Sequence, residues 1–101
     1  MDCGFVGLYR DWDYFLSLNK ANLKWRSRTR AMFKNGDRWT WIPEDKDRAV
    51  SVRGHAWDRM LLPRDIDYDL FLELHTYALR YYTRIEWYKD FNFEKGENKW
   101  R

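Results

Sequence analysis

Residues 22–34 read Asn-Leu-Lys-Trp-Arg-Ser-Arg-Thr-Arg-Ala-Met-Phe-Lys, and Asn35-Gly36 follows at once. Lys24, Arg26, Arg28 and Arg30 alternate with Leu23, Trp25, Ser27, Thr29 and Ala31. Period-two alternation points successive side chains to opposite faces of a strand. Asn-Gly is a strong signal for a tight reversal between two strands. The segment therefore predicts an amphipathic hairpin. Its first strand runs over residues 22–34, and its return strand, Arg38 to Ile42, is ended by Pro43, which cannot donate to a ladder.

Charge follows the same segment. Residues 20–38 hold seven of the 19 Lys and Arg and one acid, Asp37, for a net +6 in a chain whose total is +3. The rest of the chain is therefore net −3. One face of the hairpin buries, and the other holds cations in a row.

The register of the turn decides which residues share that row. A two-residue loop at Asn35-Gly36 would set Trp41 opposite Arg30 and put tryptophan and arginine on one face. A three-residue loop, Lys34-Asn35-Gly36 with the glycine left-handed, sets Trp39 opposite Ala31 and Trp41 opposite Thr29. The second register is favoured. It gathers Leu23, Trp25, Trp39 and Trp41 on one face and leaves Lys24, Arg26, Arg28, Arg30 and Arg38 on the other, because a one-residue slip moves every side chain across the sheet.

Around the hairpin, Trp12, Phe15 and Leu16 share a helical face, predicting a short helix from Asp11 to Leu18. Arg48 to Arg53, with Val50 and Val52 on one face, predicts a third strand, and Trp57 to Leu62 a shorter fourth. Past Pro63, the residues Leu70, Leu74, Tyr77, Ala78, Tyr81, Ile85 and Tyr88 follow the three-four spacing of one long helix. Asp65, Asp67 and Asp69 suit the start of that helix, and Arg80 and Arg84 suit its later turns. Its end is ambiguous, since Ile85, Trp87, Phe91 and Phe93 also alternate as a strand would. Tyr68, Phe71, Leu72, Leu79 and Tyr82 widen the apolar surface beyond one stripe, which marks a protein interface.

At 101 residues the chain predicts one domain over residues 1–93, with an aperiodic polar tail at 94–101. Seven tryptophans, seven tyrosines and six phenylalanines supply the core a chain of this size needs. The expected architecture is α+β: a three- or four-stranded antiparallel meander, with the short N-terminal helix and the long C-terminal helix packed on one face. This order of helix, three strands and helix is similar in layout to the double-stranded-RNA-binding domain. The lysines with which that family grips phosphate are here Asp65, Asp67 and Asp69, and its glycine-rich and lysine-rich signatures are missing, so the likeness is one of layout alone.

No apolar run approaches the roughly 20 residues needed to span a membrane, and residues 1–4 carry no signal-peptide pattern. A single cysteine, Cys3, fits a reducing, cytoplasmic setting. It is given no role.

No phosphate-loop, dinucleotide-binding, serine-hydrolase or zinc-protease motif occurs. Asp65-x-Asp67-x-Asp69 lacks the glycine turn and closing glutamate of a calcium loop. His55 and His75 are 20 residues apart with no cysteine partner. No catalytic residue, metal or cofactor is therefore expected. The remaining tryptophans could stack bases, but in so small a domain they more often serve the core.

The leading expectation is a non-enzymatic binding protein that uses a basic hairpin face to engage a polyanion, nucleic acid first. Lys24, Arg26, Arg28, Arg30, Lys34, Arg38 and Arg53 would carry the contacts. The rival is a small inhibitor or adaptor that docks on an acidic protein surface, or that pairs through the aromatic helix, with a second copy as one partner. A phage- or virus-type modulator of a larger host enzyme, acting in the host cytoplasm, has this build.

Overall fold

A computed structural model describes residues 1–45, 55–88, 91–92 and 97–98. Strand β1 is Asp2–Gly7 and helix α1 is Tyr9–Leu18. A single 3-10 turn, Lys20–Asn22, leads to β2 (Leu23–Arg26), β3 (Arg30–Phe33) and β4 (Arg38–Pro43). Then come β5 (Arg59–Pro63), helix α2 (Tyr68–Tyr77) and β6 (Arg84–Tyr88). Phe91–Asn92 (β7) and Glu97–Asn98 (β8) pair as a separate antiparallel ladder.

The first six strands form one sheet in the order β2-β3-β4-β1-β5-β6. Pairs β1·β4, β1·β5 and β5·β6 are parallel, whereas β2·β3 and β3·β4 are antiparallel. The expected antiparallel meander is thus replaced by a mixed sheet. Its inner strands include β1, a segment for which the sequence predicts no element. Cys3, Phe5 and Val6 are fully buried, as a strand flanked on both sides and covered on both faces must be. Burial also pushes the Cys3 thiol up to about 12.

Alternation along the strands builds two cores. Cys3, Phe5, Trp39, Leu61, Ala31, Phe33 and Tyr88 pack with Trp12, Phe15 and Leu16 of α1. Val6, Ile42, Met60 and Leu62 pack with Leu70 and Leu74 of α2. Neighbours such as Phe5 and Val6, or Leu61 and Leu62, enter different cores, so α1 and α2 cover opposite faces of the sheet. The expectation that both helices pack on one face fails for that reason.

The long C-terminal helix is also overturned. Helix α2 ends at Tyr77, and Ala78 N–H and Leu79 N–H both donate to the Leu74 carbonyl. Arg80 N–H then donates to Thr83 Oγ1, whose hydroxyl donates to the Trp57 carbonyl. Beyond this knot, Ile85 and Trp87 take up parallel pairing with Met60 and Leu62. The expected strand at Arg48–Arg53 lies outside the described residues.

Candidate functional site

The basic run does not form one strand. Ser27 N–H donates to the Arg30 carbonyl at 2.8 Å, and Arg30 N–H donates to Ser27 Oγ at 3.2 Å. Ser27, Arg28 and Thr29 thereby become a turn, and β2 folds back on β3. Serine at such a point offers the backbone a local partner in place of a ladder. The next reversal follows the three-residue loop. Gly36 has φ 94°, Phe33 N–H donates to the Asp37 carbonyl, and Ala31 pairs with Trp39. Trp41 N–H donates to the Thr29 carbonyl at 2.8 Å.

A second irregularity redistributes the charge. Leu23 pairs with Phe33, but Trp25 pairs with Met32 and Arg26 with Ala31, so Lys24 is an extra residue in β2. This bulge inverts the facing of everything after it. Trp25 moves onto the face of Met32, Arg30 and Arg38, which α1 does not cover. Arg26 moves to the α1 side, where it donates to Asp13 Oδ1 at 2.9 Å and to the Tyr9 hydroxyl at 3.4 Å.

Helix α2 does not extend over this part of the sheet, and no residue of β2 or β3 joins its core. This face, which neither helix covers among the described residues, holds a slot of about 340 Å³, lined by Trp25, Arg30, Arg38, Thr40, His55 and Trp57 together with Asp2. Trp25, 47% exposed on the outermost strand, is one of the lining residues. His55, also exposed, packs on Trp57 with ring centroids 4.3 Å apart. At one end Asp2 Oδ1 accepts from Arg38 at 2.8 Å, and Asp2 Oδ2 lies 3.7 Å from His55 Nε2. Trp57 is almost wholly buried, and its indole Nε1 has no acceptor among the described residues.

Of the expected contact residues, Arg30 and Arg38 line the slot and Lys24 is exposed at the bulge. Arg28 is drawn away, its guanidinium 4.4 Å from the centroid of the Tyr9 ring while its carbonyl accepts from Trp12 Nε1. Lys34 lies in the hairpin loop and lines a different hollow of about 580 Å³ with Phe15, Asn22, Trp39 and Arg59. Arg53 is outside the described residues. The cations therefore do not stand in one row, because a turn and a bulge divide them between two faces.

The expected helix flank is divided too. Tyr68, Leu72 and Tyr82 are exposed, Phe71 is half-buried beside Trp87, and Leu79 is buried in the α2 core. Trp57 is one of the tryptophans that could stack bases, whereas His55 and Asp2 carry no signal of such a slot in the sequence. Asp2 belongs to β1, and His55 and Trp57 to the segment before β5, so the three reach the slot through tertiary folding that no local spacing signals.

The carboxyl ends of β1, β4 and β5 are where open α/β sheets place ligands. Here they carry acids. Burial raises the Asp11 carboxyl above the usual range, against the lowering effect of Arg10. Burial followed by the charges of Asp65, Asp11 and Asp67 raises Glu44. Among the described residues, no group of three His, Cys, Asp or Glu could hold a metal ion, and no helix is long and apolar enough to cross a membrane. Compared with protein-family models, curated proteins and solved structures, the chain has no match in any of the three.

Proposed function

We propose that this chain is a small non-enzymatic nucleic-acid-binding protein that works through the uncovered face of its β2–β3–β4 hairpins. The observation that carries this reading is the bulge at Lys24, which brings an exposed tryptophan onto the arginine face. Cations alone would suit any polyanion. An aromatic platform among them suits one with flat rings, since bases stack on tryptophan and phosphates pair with Arg and Lys. Lys24 and Arg30, whose side chains have no partner among the described residues, are the primary phosphate contacts. Arg38 joins them in exchange for part of its pairing with Asp2.

Affinity measured across a salt series tests the reading. Each neutralised phosphate contributes about −0.7 to −0.9 to the slope of log K against log salt. Lys24→Ala/Arg30→Ala should make that slope shallower by roughly 1.5. Arg26→Ala, which removes a group tied to Asp13, should leave it nearly unchanged. No binding at the lowest salt would end the proposal.

Exposed Tyr68, Leu72 and Tyr82, with Tyr81 packed edge-on against Tyr82, favour a second reading. In it the chain is an adaptor or inhibitor that meets a protein partner, or a second copy, through α2 and the turn after it. Monomeric elution from a sizing column at high concentration would remove the second copy from that reading.

A further inference from the structure

We infer that the slot lined by Trp25, His55 and Trp57 takes an unpaired base, so that the ligand is single-stranded nucleic acid and not a duplex. The inference rests on the nucleic-acid reading and narrows it.

Three observations carry it. The first is shape. Trp25, His55 and Trp57 line one slot of about 340 Å³, with the rings of Trp25 and His55 exposed to an incoming ligand. A duplex offers base edges in its grooves and keeps the flat faces of its bases stacked inside, whereas a single strand can splay a base out to stack on an aromatic ring.

The second is charge. A duplex held by about 6–10 phosphate contacts needs more cations than the described residues of the hairpins keep on this face. Arg26 and Arg28 are engaged with α1 through Asp13 and Tyr9, and Lys34 lies at the other hollow. Among the described residues, Arg30 and Arg38 line the slot and Lys24 is exposed on the same edge strand as Trp25, enough for a short stretch of backbone.

The third is polarity inside the slot. Asp2 sits among the cations with an oxygen toward Arg38 and another toward His55. A carboxylate there disfavours a phosphate at depth but can accept from the exocyclic amino group of a base. Trp57 Nε1 is buried and has no acceptor among the described residues. The base therefore enters the slot against Trp25, and the phosphates stay outside it with Arg30 and with Lys24 on the neighbouring edge strand.

The test compares a fluorescently labelled single strand of about 12 mixed nucleotides, a length within the range such grooves cover, with the duplex of the same sequence. Anisotropy titrations would use the wild-type chain, Trp25→Ala and Trp25→Phe. The wild type should prefer the single strand. Trp25→Ala should weaken single-strand binding by about 5- to 100-fold, the range of one base–aromatic stack. Its salt slope and its affinity for duplex should not change, and Trp25→Phe should recover most of the loss. Trp25 is half-exposed on an edge strand, and an unchanged urea midpoint would show that the variants are folded. Duplex binding as tight as single-strand binding, or a Trp25→Ala loss shared equally by both, overturns this inference and leaves the nucleic-acid reading standing. Failure to bind either form at low salt overturns both.

Discussion

A Cβ added to Gly7 would collide with the hydroxyl of Tyr88, which donates to the Val6 carbonyl at 2.6 Å. That hydrogen bond joins the central strand to the edge strand β6 across the α1 core, and burial keeps the phenol protonated as its donor. Gly7→Ala should destabilise the chain by about 1–3 kcal/mol through overpacking. Tyr88→Phe should cost about 1–3 kcal/mol by orphaning a buried carbonyl. Because Tyr88→Phe also removes the atom that Ala would strike, the double variant should lose less than the sum. Urea midpoints for the four proteins measure this, and strict additivity would refute the coupling. Neither role was legible in the sequence. Tyr88 fell on a helical spacing beside Ile85, and Gly7 lay in a short apolar run with no turn signal. Trp12, Phe15 and Leu16 were legible, because the face they share is set by the helix repeat alone.

At the scale of elements, α2 shows where periodicity stops being decisive. Leu70, Leu74 and Ala78 keep their spacing and are buried as expected, but the same spacing continued through Tyr81, which is fully exposed. Residues 85–88 fit two periods. The choice fell to strand because β5 offers a parallel partner, and a partner distant in sequence leaves no local mark. The start of the helix is the more predictable end. Asp67 caps it by accepting from Leu70 N–H at 3.1 Å. Asp67→Ala should therefore lower stability by about 1 kcal/mol, and Asp67→Asn or Asp67→Ser by much less. Equal losses for all three would assign the effect to charge and not to the cap. The bulge in β2 belongs at this scale as well. The turn at residues 34–36 carries a glycine that announces it, whereas Lys24 has nothing in its residue type that announces an extra residue.

Across the described residues, two helices on opposite faces leave the hairpin end of the sheet without a helix on one side, and acids gather at the carboxyl edge. Glu44 is the clearest consequence. Its folded-state pKa is raised, so between the unfolded and folded values the native chain holds a proton that the unfolded chain has lost. Stability therefore falls as pH rises through that window and stays lower above it. Glu44→Gln should raise the urea midpoint at neutral pH, with the gain fading below about pH 4, where the carboxyl is protonated in both states. A gain that does not change with pH would contradict the electrostatic cause. The sequence by itself determined the Lys34–Gly36 loop, the pairing of Ala31 with Trp39, and the buried faces of both helices. Each of these follows from a short repeat or a glycine with positive φ, and so from neighbours along the chain. Only the tertiary structure decided that β1 is the central strand, that α2 stops at Tyr77, and that Trp25 rather than Arg26 stands with Arg30. Those outcomes depend on parallel pairing between distant segments and on a one-residue bulge, whose energies come from partners that local sequence does not specify.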